Sequence, residues 1–251
     1  MSGYLSIVGL GPGADDLRAP RATAMLEAAT DIVGYAAYVA RVPERAGQIR
    51  HVTDNREELF RARHALSLAA AGRRVAVVSA GDAGVFAMAS AVFEAIEHGD
   101  PGWRALDVEV IPGISAMFAA AARLGAPLGH DFCAISLSDN LKPWDTVLSR
   151  LRAAAAAGFV IALYNPLSRA RPWQLAAAFD ALREILAPTT EIAFATAVSR
   201  PDETTHVCSL AEADPSRADM RTLVLIGTAT TRRIARADGG VWLYAPRGAS
   251  A

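Results

Sequence analysis

The chain has 251 residues, 52% of them hydrophobic, which is enough apolar material for one large or two modest cores and too much for a disordered scaffold. Its 25 basic and 26 acidic residues leave a formal charge of −1, so no excess of positive charge points to nonspecific binding of nucleic acid or an anionic membrane.

Short apolar strand patterns alternate with Ala-rich helical stretches, the mark of βα units packed on a largely parallel sheet. A strand over 4–10 is followed by a helix over about 18–29, a short strand at 31–33 and a further segment at 35–42. The pair Asp54-Asn55 is an N-cap pattern for a helix over 56–71, which Gly72 ends. A buried strand at 75–79 leads through a glycine-rich loop into a helix over about 85–98, and a strand at 108–111 closes at Pro112-Gly113. There the pattern restarts, with a helix over 115–123, a strand over 132–137, a helix over 144–157, a strand over 159–163 and a helix over 171–186. Strands near 192–198, 206–210, 223–226 and 241–244 complete the chain. No low-complexity linker separates the halves. The expectation is an α/β fold of two domains, 1–112 and 113–251, with a small-molecule site in the cleft between them.

Cys133 and Cys208 lie far apart in apolar runs, without a second Cys or His at metal-ligand spacing. They read as buried thiols in a reducing compartment, with no disulfide framework and no metal site. The first residues enter a strand pattern without a charged, then apolar, leader. The longest apolar stretch, 153–164, is too short for a bilayer and is broken by Gly158, so the chain reads as cytoplasmic.

Three small-residue loops follow strands. The first, Gly9-Leu10-Gly11-Pro12-Gly13-Ala14, nominally fits the dinucleotide pattern G-x-G-x-x-A. Pro12 removes an N–H that should meet a pyrophosphate, Asp15 and Asp16 place carboxylates where phosphates would sit, and Asp31 precedes its strand instead of following it. A nicotinamide enzyme is therefore disfavoured, while a tight turn without a ligand stays open. The second loop, Gly81-Asp82-Ala83-Gly84-Val85-Phe86, allows close backbone approach to a ligand and suits a neutral nucleoside with a sulfonium better than a phosphate. Asp82 either meets a ligand hydroxyl or cation, or caps the next helix. In the third loop, Pro112-Gly113-Ile114-Ser115-Ala116, Ser115 alone is an ordinary N-cap. Together the three loops should gather at the carboxyl edge of the sheet, where open α/β folds bind ligands.

This loop set resembles the class III, tetrapyrrole-type (corrin/porphyrin) methyltransferases. Three further stretches resemble the subgroup that methylates precorrin-3B at ring carbon 17. They are Ile135–Asp139 in sequence with Lys142-Pro143-Trp144, then Leu163-Tyr164-Asn165-Pro166 with Ser168-Arg169-Ala170-Arg171, and Thr196-Ala197-Val198 with Arg200-Pro201. Gly34-Tyr35, Tyr38-Val39 and Thr222-Leu223-Val224 with Gly227 and Thr231-Arg232 agree. Ala83 departs from the family, which commonly has Pro after Gly-Asp.

The resemblance implies two α/β domains, a homodimer, and S-adenosylmethionine bent into the interdomain cleft, leaving as S-adenosylhomocysteine. It places Gly81, Asp82, Val85, Phe86, Ser115 and Ala116 on one side of the cofactor. Tyr164, Asn165, Ala197, Val198 and the Thr228-Ala229 turn take the other side. Gly11 and Pro12 then line the tetrapyrrole trough. Lys142, Arg169, Arg171 and Arg232 are candidate partners for the rim carboxylates of the macrocycle, and Trp144 and Trp173 either flank the trough or pack in the core. Methylation coupled to ring contraction, giving precorrin-4, needs proton transfer. Asp139 and His130 are the candidate carriers, against plain readings of Asp139 as a helix cap and His130 as an exposed loop histidine. A cobalt-containing precorrin as substrate, or a noncatalytic tetrapyrrole carrier, are the alternatives. Ribosomal RNA is disfavoured because no basic stripe is present.

Overall fold

The computed structural model describes residues 3–54, 57–168 and 170–248. They divide into two compact units whose sequences meet between Ala116 and Met117, a few residues beyond the Pro112-Gly113 turn.

The first unit carries β1 (Tyr4–Gly9), α1 (Pro20–Ala28), β2 (Asp31–Tyr35), α2 (Ala36–Val39), β3 (Ile49–Thr53), α3 (Glu58–Ala70), β4 (Arg74–Ser79), α4 (Met88–His98) and β5 (Asp107–Ile111). Its sheet is wholly parallel, in the order β3-β2-β4-β1-β5. The period of two along each strand sorts the core. Leu5, Ile7, Val33, Val75 and Val77 face α3 and α4 in one cluster with Ala62, Leu66, Met88 and Val92. Val8, Ile32, Ala76 and Val78 face the other way, into a cluster with Leu10, Ala22, Leu26, Val39 and Ile111. Burial on both faces explains why β1 and β4 read as continuous apolar runs.

Several expectations need correcting here. β3 is hidden in the sequence because Arg50 and His51 break its apolar pattern and Ile49 and Val52 stay exposed on an edge strand. The first helix begins at Pro20, after a single 3-10 turn at Asp15–Leu17. α3 begins at Glu58 with Glu57 at its N-cap, and the Asp54 amide donates to the Glu57 carboxylate, so Asp54 is not the cap; Asn55 lies outside the described residues. α4 begins at Met88, three residues later than the pattern implied.

The second unit carries α5 (Ala116–Leu124, whose first residue still belongs to the first unit), β6 (Gly125–Ala126), β7 (Phe132–Ser136), α6 (Trp144–Ala156) and β8 (Val160–Tyr164). It continues with α7 (Gln174–Arg183), β9 (Glu191–Thr196), β10 (Thr204–Ser209), β11 (Thr222–Ile226), β12 (Arg232–Ala235) and β13 (Val241–Tyr244). Its main sheet, β10-β9-β11-β8-β7, is mostly antiparallel, and only β7 and β8 run parallel. The largely parallel sheet expected throughout is thus confined to the first unit. No α-helix separates β9, β10 and β11, and short connections cannot return a strand in parallel. α6 and α7 cover this sheet through Val147, Leu151, Phe179 and Leu182, packed on Ile161, Leu163, Phe194 and Val224. β12, β13 and β6 form a small separate sheet. Cys208 is buried and Cys133 half-buried, and burial pushes both thiols up. Among the described residues, no helix is long and apolar enough to cross a membrane.

Candidate functional site

In the first unit β4, β1 and β5 are adjacent and parallel, so the three glycine loops leave from one edge. They touch backbone to backbone. The Gly11 amide donates to the Gly81 carbonyl at 3.0 Å and the Gly81 amide to the Gly11 carbonyl at 2.9 Å. A Cβ at Gly9 would stand 2.8 Å from both the Gly113 nitrogen and the Gly81 oxygen, so the crossing excludes any side chain there. Gly11 at φ +71° and Gly81 at φ +63° hold conformations that L side chains rarely adopt. Asp82 ties the second loop to the third, accepting from the Gly84 amide at 2.8 Å and from the Gly113 amide at 3.0 Å. It does not cap α4, which starts six residues on. Ala83, the departure from the family pattern, is fully buried against α3 and α4, and its carbonyl accepts from the Ala89 amide at 2.9 Å. Phe86 follows on a half-exposed turn at φ +51°. Ser115 is buried, and Ser115 and Ala116 lie beside Gly81.

The second unit gathers its own set at one end of its main sheet. The Tyr164 hydroxyl accepts from the Met117 amide at 3.1 Å, and the Tyr164 carbonyl accepts from the Leu137 amide at 2.9 Å. Asn165, at φ +52°, donates from Nδ2 to Ser136 Oγ at 2.9 Å. Ala197, at φ +50°, leaves the end of β9, and its amide donates to the Arg221 carbonyl at 3.2 Å. Ser199, also left-handed at φ +63°, donates its amide to Glu203 Oε2 at 2.5 Å, and Glu203 Oε1 pairs with Arg123 Nε at 2.7 Å. Every non-glycine residue with positive φ among the described residues is therefore in or beside a loop singled out from sequence. Each such residue costs about 1–2 kcal/mol, and strain of this kind persists where surrounding contacts hold it, often at functional sites.

Three expected residues are elsewhere. Thr228 and Ala229 follow β11, which runs antiparallel to β8 and β9. The end of β11 therefore lies beside the start of β9, where the Gly227 amide donates to the Glu191 carbonyl at 2.8 Å. That is one strand length, roughly 16 Å at 3.3 Å per residue, from Ala197 and Val198. The residues beside Ala197 are Arg221 and Thr222, whose Oγ1 meets Thr196 Oγ1 at 2.8 Å. His130 lies in the turn before β7, at the opposite end of that strand from Asp139. It is half-buried, not exposed, and its Nδ1 is buried without a hydrogen-bond partner among the described residues.

Asp139 does not cap α6. It accepts from Gln174 Nε2 at 3.1 Å and pairs with Arg171 Nε at 3.5 Å, while Arg171 NH1 also donates to Asn140. The loops after β7 and β8 are thus joined by Asp139, Arg171 and the buried Gln174, which sequence reading missed. Lys142 is half-buried and forms no ion pair among the described residues; burial, reinforced by Arg150, holds its pKa below the ordinary lysine value. Arg169 lies outside the described residues. Arg232 donates to the Ala229 and Thr231 carbonyls, at the far end with Thr228. Trp144 packs against the core, and the half-exposed Trp173 meets it edge to face at 4.9 Å. Asp31, the residue a dinucleotide reading needs, is buried at the start of β2 and bonded to Arg73, Thr30 and His51. Sequence reading also missed Arg41, whose guanidinium donates to the Leu10 and Gly11 carbonyls at 3.0 Å each.

The family model for Tetrapyrrole (Corrin/Porphyrin) Methylases matches residues 4–214. The chain belongs to that family. A tetrapyrrole methylase from Sinorhizobium, the Precorrin-3B C(17)-methyltransferase, is 53% identical over 98% of this chain and 97% of its own. The crystal structure of the methyltransferase CobJ superposes with a TM-score of 0.93 at 54% identity, over 98% of this chain and 100% of that one. A uroporphyrin-III C-methyltransferase from Thermus thermophilus, solved with S-adenosylhomocysteine, shares the fold at a TM-score of 0.67 and 23% identity, over 90% and 97% of the two chains.

Proposed function

We propose that this methylase transfers the methyl group of S-adenosylmethionine to ring carbon 17 of precorrin-3B, coupled to ring contraction, in cobalamin synthesis. The observation that carries the reading is the coincidence of strain and sequence. Phe86, Asn165 and Ala197, expected from sequence at the cofactor, are three of the four left-handed non-glycine residues among the described residues, and the fourth, Ser199, follows Ala197 in the same loop. Near-identity of length and 53% identity with the Sinorhizobium enzyme support the substrate.

The residues fit the cofactor. The loops are built on small side chains and backbone, and their Gly11, Gly81, Gly84 and Gly113 amides are spent on one another and on Asp82, which suits a neutral nucleoside better than a phosphate. Gly81, Asp82, Val85, Phe86, Ser115 and Ala116 would hold it from the first unit. Tyr164, Asn165, Ala197 and Val198, joined by Thr222, would hold it from the second. When bound, it supplies a methyl group already activated on a sulfonium sulfur. The chain's task is then positioning, and fixing two reactants in an attack geometry is worth up to ~7–11 kcal/mol in favourable cases. Gly11 and Pro12 would line the macrocycle's trough, and Lys142, a cation without an ion pair among the described residues, would meet a rim carboxylate. Arg171 is already engaged by Asp139 and Asn140, so its part is to hold the two loops together. Asp139 stands as the candidate proton carrier for ring contraction. A homodimer in the cytoplasm completes the reading.

The test is the mass and absorption spectrum of product after incubation with S-adenosylmethionine and precorrin-3B, beside the cobalt-bound counterpart. One added methyl and a changed chromophore on the metal-free pigment is the expected result. Gain only with cobalt moves the enzyme to a metal-containing substrate, and cofactor binding without any gain makes it a carrier.

A further inference from the structure

A cationic side chain holds the Gly9–Gly13 loop by its carbonyls. Arg41 NH2 donates to the carbonyls of Leu10 and Gly11 at 3.0 Å each and reaches that of Gly13 at 3.4 Å. The segment bearing Arg41 is itself fixed by two other arginines. Arg18 NH2 donates to the Arg41 carbonyl at 3.3 Å, and Arg50 donates to Val39 at 2.9 Å and to Val42 at 2.8 Å. Most acceptors here are main-chain oxygens, with Arg18 also paired to the Asp15 carboxylate, so the arginines tie backbone segments to one another. It acts on the part of the loop where Pro12 has no amide to donate and where Gly11 is left-handed.

The chemistry of the ligand gives the arrangement its use. Peptide carbonyls are the negative ends of their dipoles, and a loop offering three of them repels a macrocycle rimmed with carboxylates. The guanidinium gathers all three on one nitrogen, NH2, which fixes the loop's path and offsets that repulsion with a charge spread over a planar group, whereas an ammonium is a compact, more strongly hydrated point charge. We infer that Arg41 is a positioning residue for the anionic tetrapyrrole, acting through the Leu10–Gly13 carbonyls on loop shape and charge without touching the reacting atoms. The inference rests on the reading of Gly11-Pro12 as the trough loop.

The experiment compares the full chain with Arg41→Met and Arg41→Lys. It measures KM and kcat for precorrin-3B at saturating S-adenosylmethionine, and S-adenosylhomocysteine affinity by calorimetry. The expected result for Arg41→Met is a KM raised about tenfold or more, from the loss of charge-assisted bonds, with cofactor affinity changed by less than about threefold. Arg41→Lys should fall between, because it keeps the charge but is shorter and lacks the planar group; should the Met variant not fold, a raised KM at steady cofactor affinity in the Lys variant carries the result. An unchanged KM, or cofactor affinity falling as far as KM rises, overturns the inference. A wild-type chain that methylates no tetrapyrrole overturns the functional reading and this inference with it, whereas an active wild type with unchanged variants overturns the inference alone.

Discussion

Replacing Gly9 by Ala tests whether the three glycine loops pack as one unit. Gly9 is paired in β1 and has no left-handed backbone, so a methyl group there meets no intrinsic conformational cost. It meets its neighbours instead: the Gly113 nitrogen and Gly81 oxygen at 2.8 Å and the Gly113 Cα at 3.0 Å. All are main-chain atoms, and normal contact needs an opening of about half an ångström. Overpacking of this kind costs about 1–3 kcal/mol. Strain on the paired Gly11–Gly81 bonds adds ~0.5–1.5 kcal/mol for each one lost. A total near 2–4 kcal/mol should lower Tm by roughly 5–15 °C at this chain length. Gly47→Ala is the control, since Gly47 sits at φ +82° with nothing within 4 Å of an added methyl and would suffer backbone strain alone, about 1–2 kcal/mol. Thermal melts and cofactor calorimetry on the two variants separate the terms. Gly9→Ala should lose both stability and S-adenosylhomocysteine affinity, and Gly47→Ala only a little stability. A Gly9→Ala protein as stable as the control, with full affinity, would refute the idea that contact among these loops shapes the cofactor site.

Other outcomes follow from single contacts. Glu203→Gln should weaken S-adenosylhomocysteine binding about three- to tenfold by calorimetry, because it loosens the Ser199 amide and the Arg123 pair that hold the turn after Ala197; equal affinity would remove Glu203 from that role. Asp139→Asn should flatten one limb of the pH profile of kcat if Asp139 moves a proton, and should leave the profile's shape alone if it only holds Arg171. Acid stability should depend on the Asp31–His51–His64 chain, where His51 bonds to Asp31 and to His64 at 2.9 Å each. Burial and the neighbouring His51 hold His64 below its ordinary value, against the pull of Asp31. The folded state then binds fewer protons than the unfolded, so stability should fall as pH drops below about 6.5. Burial pushes Asp31 up, but bonds from Arg73, Thr30 and His51 outweigh it and hold the carboxyl low, adding a second loss below about pH 4. Melts of wild type and His64→Asn between pH 7.5 and 5 check this: the variant should lose less Tm, and parallel curves would refute it.

What could be read from the sequence was local, and what escaped it was relational. Glycine at 9, 11 and 81 announces a tight approach or a left-handed turn by its residue type alone, and the unbroken apolar run Val75-Ala76-Val77-Val78 in β4 announces a strand buried on both faces. The direction in which a strand is paired leaves no such mark. β11 reads as a good apolar strand in either sense, and the resemblance that puts Thr228 and Ala229 at the cofactor says nothing of which edge receives the loop after β11. In the first unit, where the sheet is all parallel, every strand delivers its following loop to one edge; in the second, where β9, β10 and β11 return on short connections, the edges alternate. The same antiparallel pairing brings the residues before β11, Arg221 and Thr222, to the turn that follows β9. Arg41, Glu203 and Gln174 escaped for a related reason. Each acts on a loop distant in sequence through one long side chain, and no spacing rule separates such a residue from a solvated one. The strand-end loops were thus legible, while the side chains that fix their shape became visible only once pairing direction was known.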